Sequence, residues 1–548
     1  MFKMGTILKN TRILYGAFFL VLGFVVASCN KVDYRGEDPY ADAKAPLAIQ
    51  FNSQFIQPES GGEGTVVTLK GEGFEKYKDS GLQVAINGIA GKIVEIGDSV
   101  LKMEMPAMAS TGMVTLKVKH QVFPGPYFHV TGLMQIDPLF HALPGADGLI
   151  NCIAFVPGGQ YLIGGAFSDY GNSGMVYGYR GLARINADGT LDRSFNIGRG
   201  VQGVVNAVAV LPDGRYIIGG NISNYNERFR QGAIANITRL NSDGSIDSTI
   251  VVSQRSTPGH TINDTIPAFR AYFDGAVNRV LQTPYDDKLV VVGDFNFFMK
   301  KDFTYASADG LRDSVRVDSI RMEGMARLDR AGNLDSTFNF NLETQQGYDG
   351  PNGPVTDALM LSDGKILIVG GFTRYRNQPV HYIARLNEDG SLDPTFKTDE
   401  GTDDRILSAA VLPDGRYLIA GQFKTVGGAG RKGIALLKKD GSLDPSFDVG
   451  TAPDDGANGL ILHAAVLKND KILVSGIFDH FGGYQRNGTV VLNMDGTMSD
   501  AYNNLGAMSP SGLISDLLNV PNKNATILVG AFTAFDLQPA NRIVSINY

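Results

Sequence analysis

The stretch Ile406–Phe447 constrains the chain more than any other. It runs ILSAAVLPDGRYLIAGQF and then, after a short loop, IALLKKDGSLDPSF. In its first half, alternating apolar residues enter the tight turn Pro413-Asp414-Gly415 and leave it as Tyr417-Leu418-Ile419-Ala420-Gly421. Short β-rich runs bounded by Pro, Asp and Gly read as strand, turn, strand. In its second half, Ile434–Leu437, the turn Asp440-Gly441 and Leu443–Phe447 give another hairpin signal. Both halves recur from about residue 133 to the C-terminus.

Four short antiparallel strands per unit is the content of one propeller blade. The first hairpin closes on Phe167, Ile222, Phe295, Phe372, Phe423, Phe478 and Phe532, spaced 51 to 77 residues apart, the period of a blade plus variable loops. The second hairpin ends in Leu191–Phe195, Ile246–Ile250, Leu334–Phe338, Leu392–Phe396, Leu443–Phe447 and, degenerate, Met498–Tyr502. The missing end piece has a counterpart at the other end of the repeat region, the orphan strand Ile136-Asp137-Pro138-Leu139-Phe140. Placing it beside the terminal Arg542–Tyr548 joins the ends, leaves no open sheet edge and predicts seven blades. These repeats resemble the delta-sixty family of bacterial repeats, with a signature close to LPDG(R/K)xxxGGxF followed by IARLNxDGSLDxxF. The resemblance covers roughly residues 133–548 and implies a propeller, with little about ligand.

The N-terminus is an address. Lys3, Lys9 and Arg12 precede an apolar run from Ile13 to Ala27, which ends Val26-Ala27-Ser28-Cys29. A basic region, a short apolar region and small residues before a cut describe a secretory signal over residues 1–28. The cysteine that follows resembles a bacterial lipobox, which implies lipidation of Cys29. Asn30–Asp38 resembles the surface-export signal of Bacteroidetes lipoproteins, interrupted by Val32, and implies an outer-membrane protein facing the cell exterior. Residues 29–46 are polar, contain Pro39 and Pro46, and suit a tether. Residues 47–131 hold period-two strands between Gly and Pro turns, a small sandwich. Their pattern, from Pro58-Glu59-Ser60-Gly61-Gly62 through Thr65-Val66-Val67-Thr68-Leu69 to Gly71-Glu72-Gly73-Phe74, resembles the immunoglobulin-like IPT/TIG family, whose members act mostly as spacers or contact modules. The expected fold class is therefore all-β: an immunoglobulin-like sandwich, then a propeller over residues 132–548 closed by its N- and C-terminal strands.

Little in the chain points to chemistry. A net charge of −7 leaves no basic footprint for nucleic acid. The recurring Asn-x-Asp-Gly-Ser-x-Asp, as in Asn387–Asp393, lacks the further oxygen ligands of an EF-hand and sits where a hairpin turn is required. Arg184, Arg239, Arg327 and Arg385, with Asp192, Asp247, Asp335 and Asp393, recur around the ring as a structural ion pair or turn cap would; Leu436, Val491 and Ser545 replace the Arg in the last three repeats. No two of the seven His have metal-ligand spacing, so neither metal nor cofactor is expected. Trp is absent, which removes the strongest sugar-stacking side chain. Cys152, aligned with Ala207, reads as a small buried strand residue. The recurring aromatics Tyr170, Tyr225, Phe298, Tyr375, Phe481 and Phe535 read as packing before they read as a sugar platform.

The repeat is broken most by insertions Val251–Gly275 and Asn296–Gly324. The second carries Phe297, Phe298, Lys300, Lys301, Phe303 and Tyr305, apolar and cationic residues on a long loop that suit ligand or partner contact. The expected function is a non-catalytic surface lipoprotein that binds a glycan or peptide as an accessory of a starch-utilisation-type (SusCD-like) uptake complex. The alternatives are a propeller enzyme acting on polysaccharide through channel carboxylates, and an adhesive or structural surface protein.

Overall fold

The computed structural model describes residues 47–175, 178–226, 233–253, 262–306, 313–397, 401–450, 456–509 and 513–548. The signal, Cys29 and the tether up to residue 46 lie outside these residues. Residues 49–548 form one unit, built almost wholly of strands, with short 3-10 turns such as Glu75–Tyr77 and Asp500–Tyr502.

The N-terminal part is a sandwich. Strands Gln50–Gln57, Val66–Glu72, Val100–Glu104 and Lys92–Ile96 form one sheet; Ser60–Gly61, Gln121–Val130, Gly112–Val118, Gln83–Ile86 and Ile89–Ala90 form the other. Period-two patterning sends Val67, Leu69, Leu101 and Met103 inward from the first sheet and Val84, Ile86, Val114, Leu116 and Phe128 from the second; all are buried. At about 1.5–3 kcal/mol for each large apolar side chain, this core holds the sandwich together.

The sandwich is bound to the last two repeats. The amide of Asn504 donates to the carbonyls of Val130 and Met134, and its oxygen accepts from the Met134 N–H at 3.2 Å. The Thr111 N–H donates to the Asn504 carbonyl at 2.8 Å. Arg486, buried, donates to the Met108 carbonyl at 2.7 Å and the Ser110 hydroxyl at 3.3 Å. Burial lowers the pKa of this guanidinium to about 10. The module is therefore held on the propeller by buried polar bonds.

The β-propeller follows. In six of its sheets a first strand pairs antiparallel with a second, and the second with a third. These sheets begin with Ile150–Val156, Val201–Val210, Val277–Gln282, Val355–Met360, Ile406–Val411 and Leu460–Val466. A further sheet takes Ile514–Asn519, Ala525–Gly530 and Ile543–Asn547 from the end of the chain and Gln135–Ile136 from before the first repeat. Gln135 pairs with Asn547 and Ile136 with Ile546. Neighbouring first strands touch all the way round, the last against the first.

Four full strands per repeat, the sequence expectation, is met only in this closing sheet. Elsewhere the fourth is a one-residue bridge, such as Leu386 to Leu392 or Leu437 to Leu443. In the first five of these repeats an Asp follows the bridge. Asp393 accepts the Thr395 N–H at 2.9 Å and its hydroxyl at 2.7 Å, curling the chain out of the sheet and turning Phe396 into the core.

Every first strand also carries a bulge at one register position. Pairing skips a residue between Ile150 and Cys152, Val205 and Ala207, Val277 and Arg279, Val355 and Asp357, Ile406 and Ser408, Ile461 and His463, and Ile514 and Asp516. The bulge explains the recurrent glycine on the second strand. A Cβ on Gly421 would run into the Arg405 carbonyl, and one on Gly530 into that of Leu513.

Candidate functional site

The residue after each bulge belongs to one ring: Cys152, Ala207, Arg279, Asp357, Ser408, His463 and Asp516. Six of these, all but Ser408, line a single cavity of about 260 Å³ to which all seven first strands contribute residues. A bulge adds a residue and re-aims the side chain after it, so a repeated structural device brings seven side chains of six kinds together.

Part of the ring is structural. Asp357 Oδ2 accepts the N–H of Ala409 on the next sheet at 3.1 Å, and Asp516 Oδ2 accepts that of Ile153 at 3.1 Å. Ser408 bonds Ala464 in the same sense at 3.4 Å. Each post-bulge acceptor thus caps a main-chain donor of its neighbour. The skipped residues add lateral links: Asn151 donates to the Val205 carbonyl, Asn206 to that of Val277, and Thr356 to that of Ile406.

The charges are unevenly matched. Arg279 Nε donates to Asp357 Oδ1 at 2.9 Å, and Nη1 to the Asn278 carbonyl at 3.2 Å. Asp357, chiefly, and then Asp516 hold the guanidinium firmly protonated. Burial pushes the Asp516 carboxyl up to about 6, against the pull of Arg279 and the N–H groups of Ile153 and Leu517. Burial brings His463 down to about 4, so its ring is neutral at physiological pH. Burial, then the charge of Asp516, raises the Cys152 thiol, which remains protonated. These groups lie deep among protein atoms yet keep some access to water; the Arg279 side chain is 33% exposed.

The sequence-predicted contact residues lie elsewhere. Phe297–Ala306 and Asp313–Arg321 form a hairpin whose first strand also pairs with Tyr272–Phe273. Phe298 is buried against Phe273 and Phe303 is buried beside Tyr272, so both are packing residues: this corrects the contact role expected of them and agrees with the packing reading of Phe298 as a recurring aromatic. Lys301 lies 4.5 Å from the centre of the Tyr272 ring. Phe297 and Lys300 are exposed, and the Tyr305 side chain lies outside the described residues. The inserted hairpin thus packs one face back on its own sheet and leaves Phe297 and Lys300 exposed.

The other recurring residues resolve into structure. Tyr170, Tyr225 and Tyr375 are buried and donate to the carbonyls of Gly189, Gly244 and Gly390. Asp389 accepts the Ser391 N–H and hydroxyl, spending its carboxylate on the turn. The Arg/Asp pairs close at 2.6–2.7 Å. Each Arg also reaches a carbonyl of the following repeat: Ser242, Arg330, Glu388 and Lys439. Among the described residues no group of three or more His, Cys, Asp or Glu is placed to hold a metal ion.

Two family models match the chain. The beta-propeller domain of unknown function DUF5122 matches residues 157–195, 211–249, 361–396, 412–447 and 467–498, and the IPT/TIG domain matches 54–130. Among solved structures, a structural genomics protein of unknown function from Bacteroides thetaiotaomicron is 11% identical. It covers 81% of this chain and 98% of its own at a TM-score of 0.29. The WD40 beta propeller domain of Doa1 is 14% identical, covering 75% and 96% at 0.40. An auxiliary nutrient binding protein from Bacteroides thetaiotaomicron is 12% identical, covering 81% and 98% at 0.30. A search of curated proteins returns no match.

Proposed function

The chain carries an IPT/TIG domain and a DUF5122 β-propeller region, and we propose that it is a lipid-anchored outer-membrane protein, facing the cell exterior, that binds a solute without transforming it. In this reading it is an accessory of a starch-utilisation-type uptake system, anchored through Cys29, and its sandwich is a rigid stalk under the propeller. The observation that carries the binding role is the polar cavity on which all seven first strands converge. A concave site with a few convergent polar groups among apolar walls is the usual form of a small-ligand site. The signal features before Cys29 supply the address.

The polysaccharide-hydrolase reading draws on the same two carboxylates, Asp357 and Asp516. It needs Asp357 free to act, whereas that carboxylate is engaged by Arg279, Ala358 and Ala409. Binding asks nothing further of it.

The test is affinity purification of the tagged, lipidated protein from gently solubilised native outer membrane, followed by mass spectrometry. A stoichiometric transporter with its lid lipoprotein is the expected result. Repeated recovery of the protein alone would sink the uptake assignment.

A further inference from the structure

Three formal charges belong to the cavity at neutral pH. Arg279 and Asp357 compensate each other at 2.9 Å. Asp516 is different: its hydrogen bonds come from the main-chain N–H groups of Ile153 and Leu517, and Arg279 acts on it through space. Of the remaining polar lining groups, His463 is neutral, Cys152 is a thiol and Asn206 an amide. The cavity therefore holds one negative charge without a contacting cation, an arrangement that a bound cation would relieve.

The rest of the wall selects among cations. Ile153, Val208, Val280, Leu359 and Leu517 are aliphatic, and the lining contains no Phe, Tyr or Trp, its one aromatic ring being the His463 imidazole. It offers no Trp, Tyr or Phe cage for a quaternary ammonium. Calcium or magnesium would want about six or more oxygen ligands, and the ring offers Asp516 and an Asp357 already engaged by Arg279; among the described residues no three His, Cys, Asp or Glu are placed to hold any metal ion. A primary ammonium needs one carboxylate and a few neutral acceptors, and its body needs an apolar wall.

We propose that the axial cavity binds a small primary amine, its ammonium donating to Asp516 and its short aliphatic body lying against Val280 and Leu359. This rests on the binding reading above and names its ligand class.

The test is isothermal titration of the full-length protein at pH 7.5 with propylammonium chloride, with propan-1-ol and potassium chloride as comparisons. Propylammonium is expected to saturate at one per chain, and the other two to give no saturable heat. Affinity is expected to fall at least tenfold at pH 5, where Asp516 takes up a proton. The other charged or titratable groups facing it are Arg279, Asp357, His463 and Cys152; over that interval the guanidinium stays protonated, the imidazole neutral and the thiol protonated. Asp516→Asn keeps an acceptor for Ile153 and is expected to lose at least tenfold. Ala207→Leu, which fills the cavity and leaves Asp516 in place, is expected to do the same. Absence of saturable heat, or unchanged binding in Asp516→Asn, would overturn the proposal. Equal binding of potassium would replace the amine by an inorganic cation and overturn it as well. A transporter recovered from the membrane alongside failed titrations would leave the uptake reading standing and remove only this ligand.

Discussion

Replacing Arg385 by alanine is expected to lower the stability of the chain by about 3–5 kcal/mol, the usual cost of breaking a buried ion pair by removing one partner. Arg385 Nε donates to Asp393 at 2.7 Å, Nη1 to the Tyr417 hydroxyl and the Lys439 carbonyl, and Nη2 to Thr395. The guanidinium also lies 4.9 Å from the centre of the Phe396 ring. Tyr417 and Lys439 belong to the following repeat, so a single side chain joins two sheets. Burial alone would raise the Asp393 carboxyl, but bonds from Lys365, Thr395 and Arg385 outweigh it and hold it well below the usual carboxylate range. The alanine variant strands that buried charge on Lys365. Repeat five supplies the control: Leu436 stands at the Arg position, and Asp444 pairs with Arg416 at 2.8 Å. The double variant Arg385→Leu, Asp393→Ser, which removes both charges, is therefore expected to cost no more than about half as much. Urea unfolding of the three proteins, read as midpoint shifts, checks both figures.

The second large effect is a pH dependence that the wild-type chain conceals. Asp516 has its folded pKa raised, from 3.8 to about 6. Its protonated form is the one the fold favours, so its contribution is full below the ordinary value and is lost as pH rises through about 6. His463 has its folded pKa lowered, from 6.5 to about 4. Its contribution is full above the ordinary value and is lost as pH falls through about 4. Each shift corresponds to about 3 kcal/mol, with opposite sign over nearly the same interval, so in the wild-type protein these two contributions cancel between pH 4 and 6.5. Asp516→Asn leaves the histidine unopposed. Its stability is expected to rise across this interval and to exceed wild type by about 2–3 kcal/mol at pH 7.5. His463→Asn is expected to fall across the same interval. Urea midpoints at pH 4, 5.5 and 7.5 measure all three, and parallel curves for wild type and Asp516→Asn would refute the account of the ring.

Much of the architecture was legible because it is written in local chemistry. The Pro-Asp-Gly turn of residues 413–415, the alternation in Val66–Leu69 and the closing Phe423 each act within a few residues of themselves. The closing partner of the orphan strand was also readable, from what the two ends lack. The outer strand is shorter than the sequence suggests, a one-residue bridge in six of the seven sheets. Phe303 was misjudged because an inserted hairpin gives no sign of which face will pack back, whereas the burial of Phe298 agrees with its place among the recurring packing aromatics.

The ring was missed for a different reason. Arg279, Asp357, His463 and Asp516 lie on separate repeats, are of three types and share no motif. What they share is the position one past a bulge. A signal existed: aligning the first strands of the repeats, from Asn151-Cys152 to Ser515-Asp516, puts all seven ring residues in one column. Only the pair Cys152 and Ala207 was drawn from that column, and those two small residues suggest burial and nothing more.

The claim that the axis of the propeller is the binding site is tested most directly by ligand-observed NMR. Saturation transfer to a mixed pool of small environmental solutes would be recorded with the full-length wild-type protein and with Ala207→Leu. The account predicts that wild type transfers saturation to at least one solute, and that filling the cavity abolishes the transfer while the fold is kept. A solute bound equally by both proteins would place recognition away from the axis and contradict it.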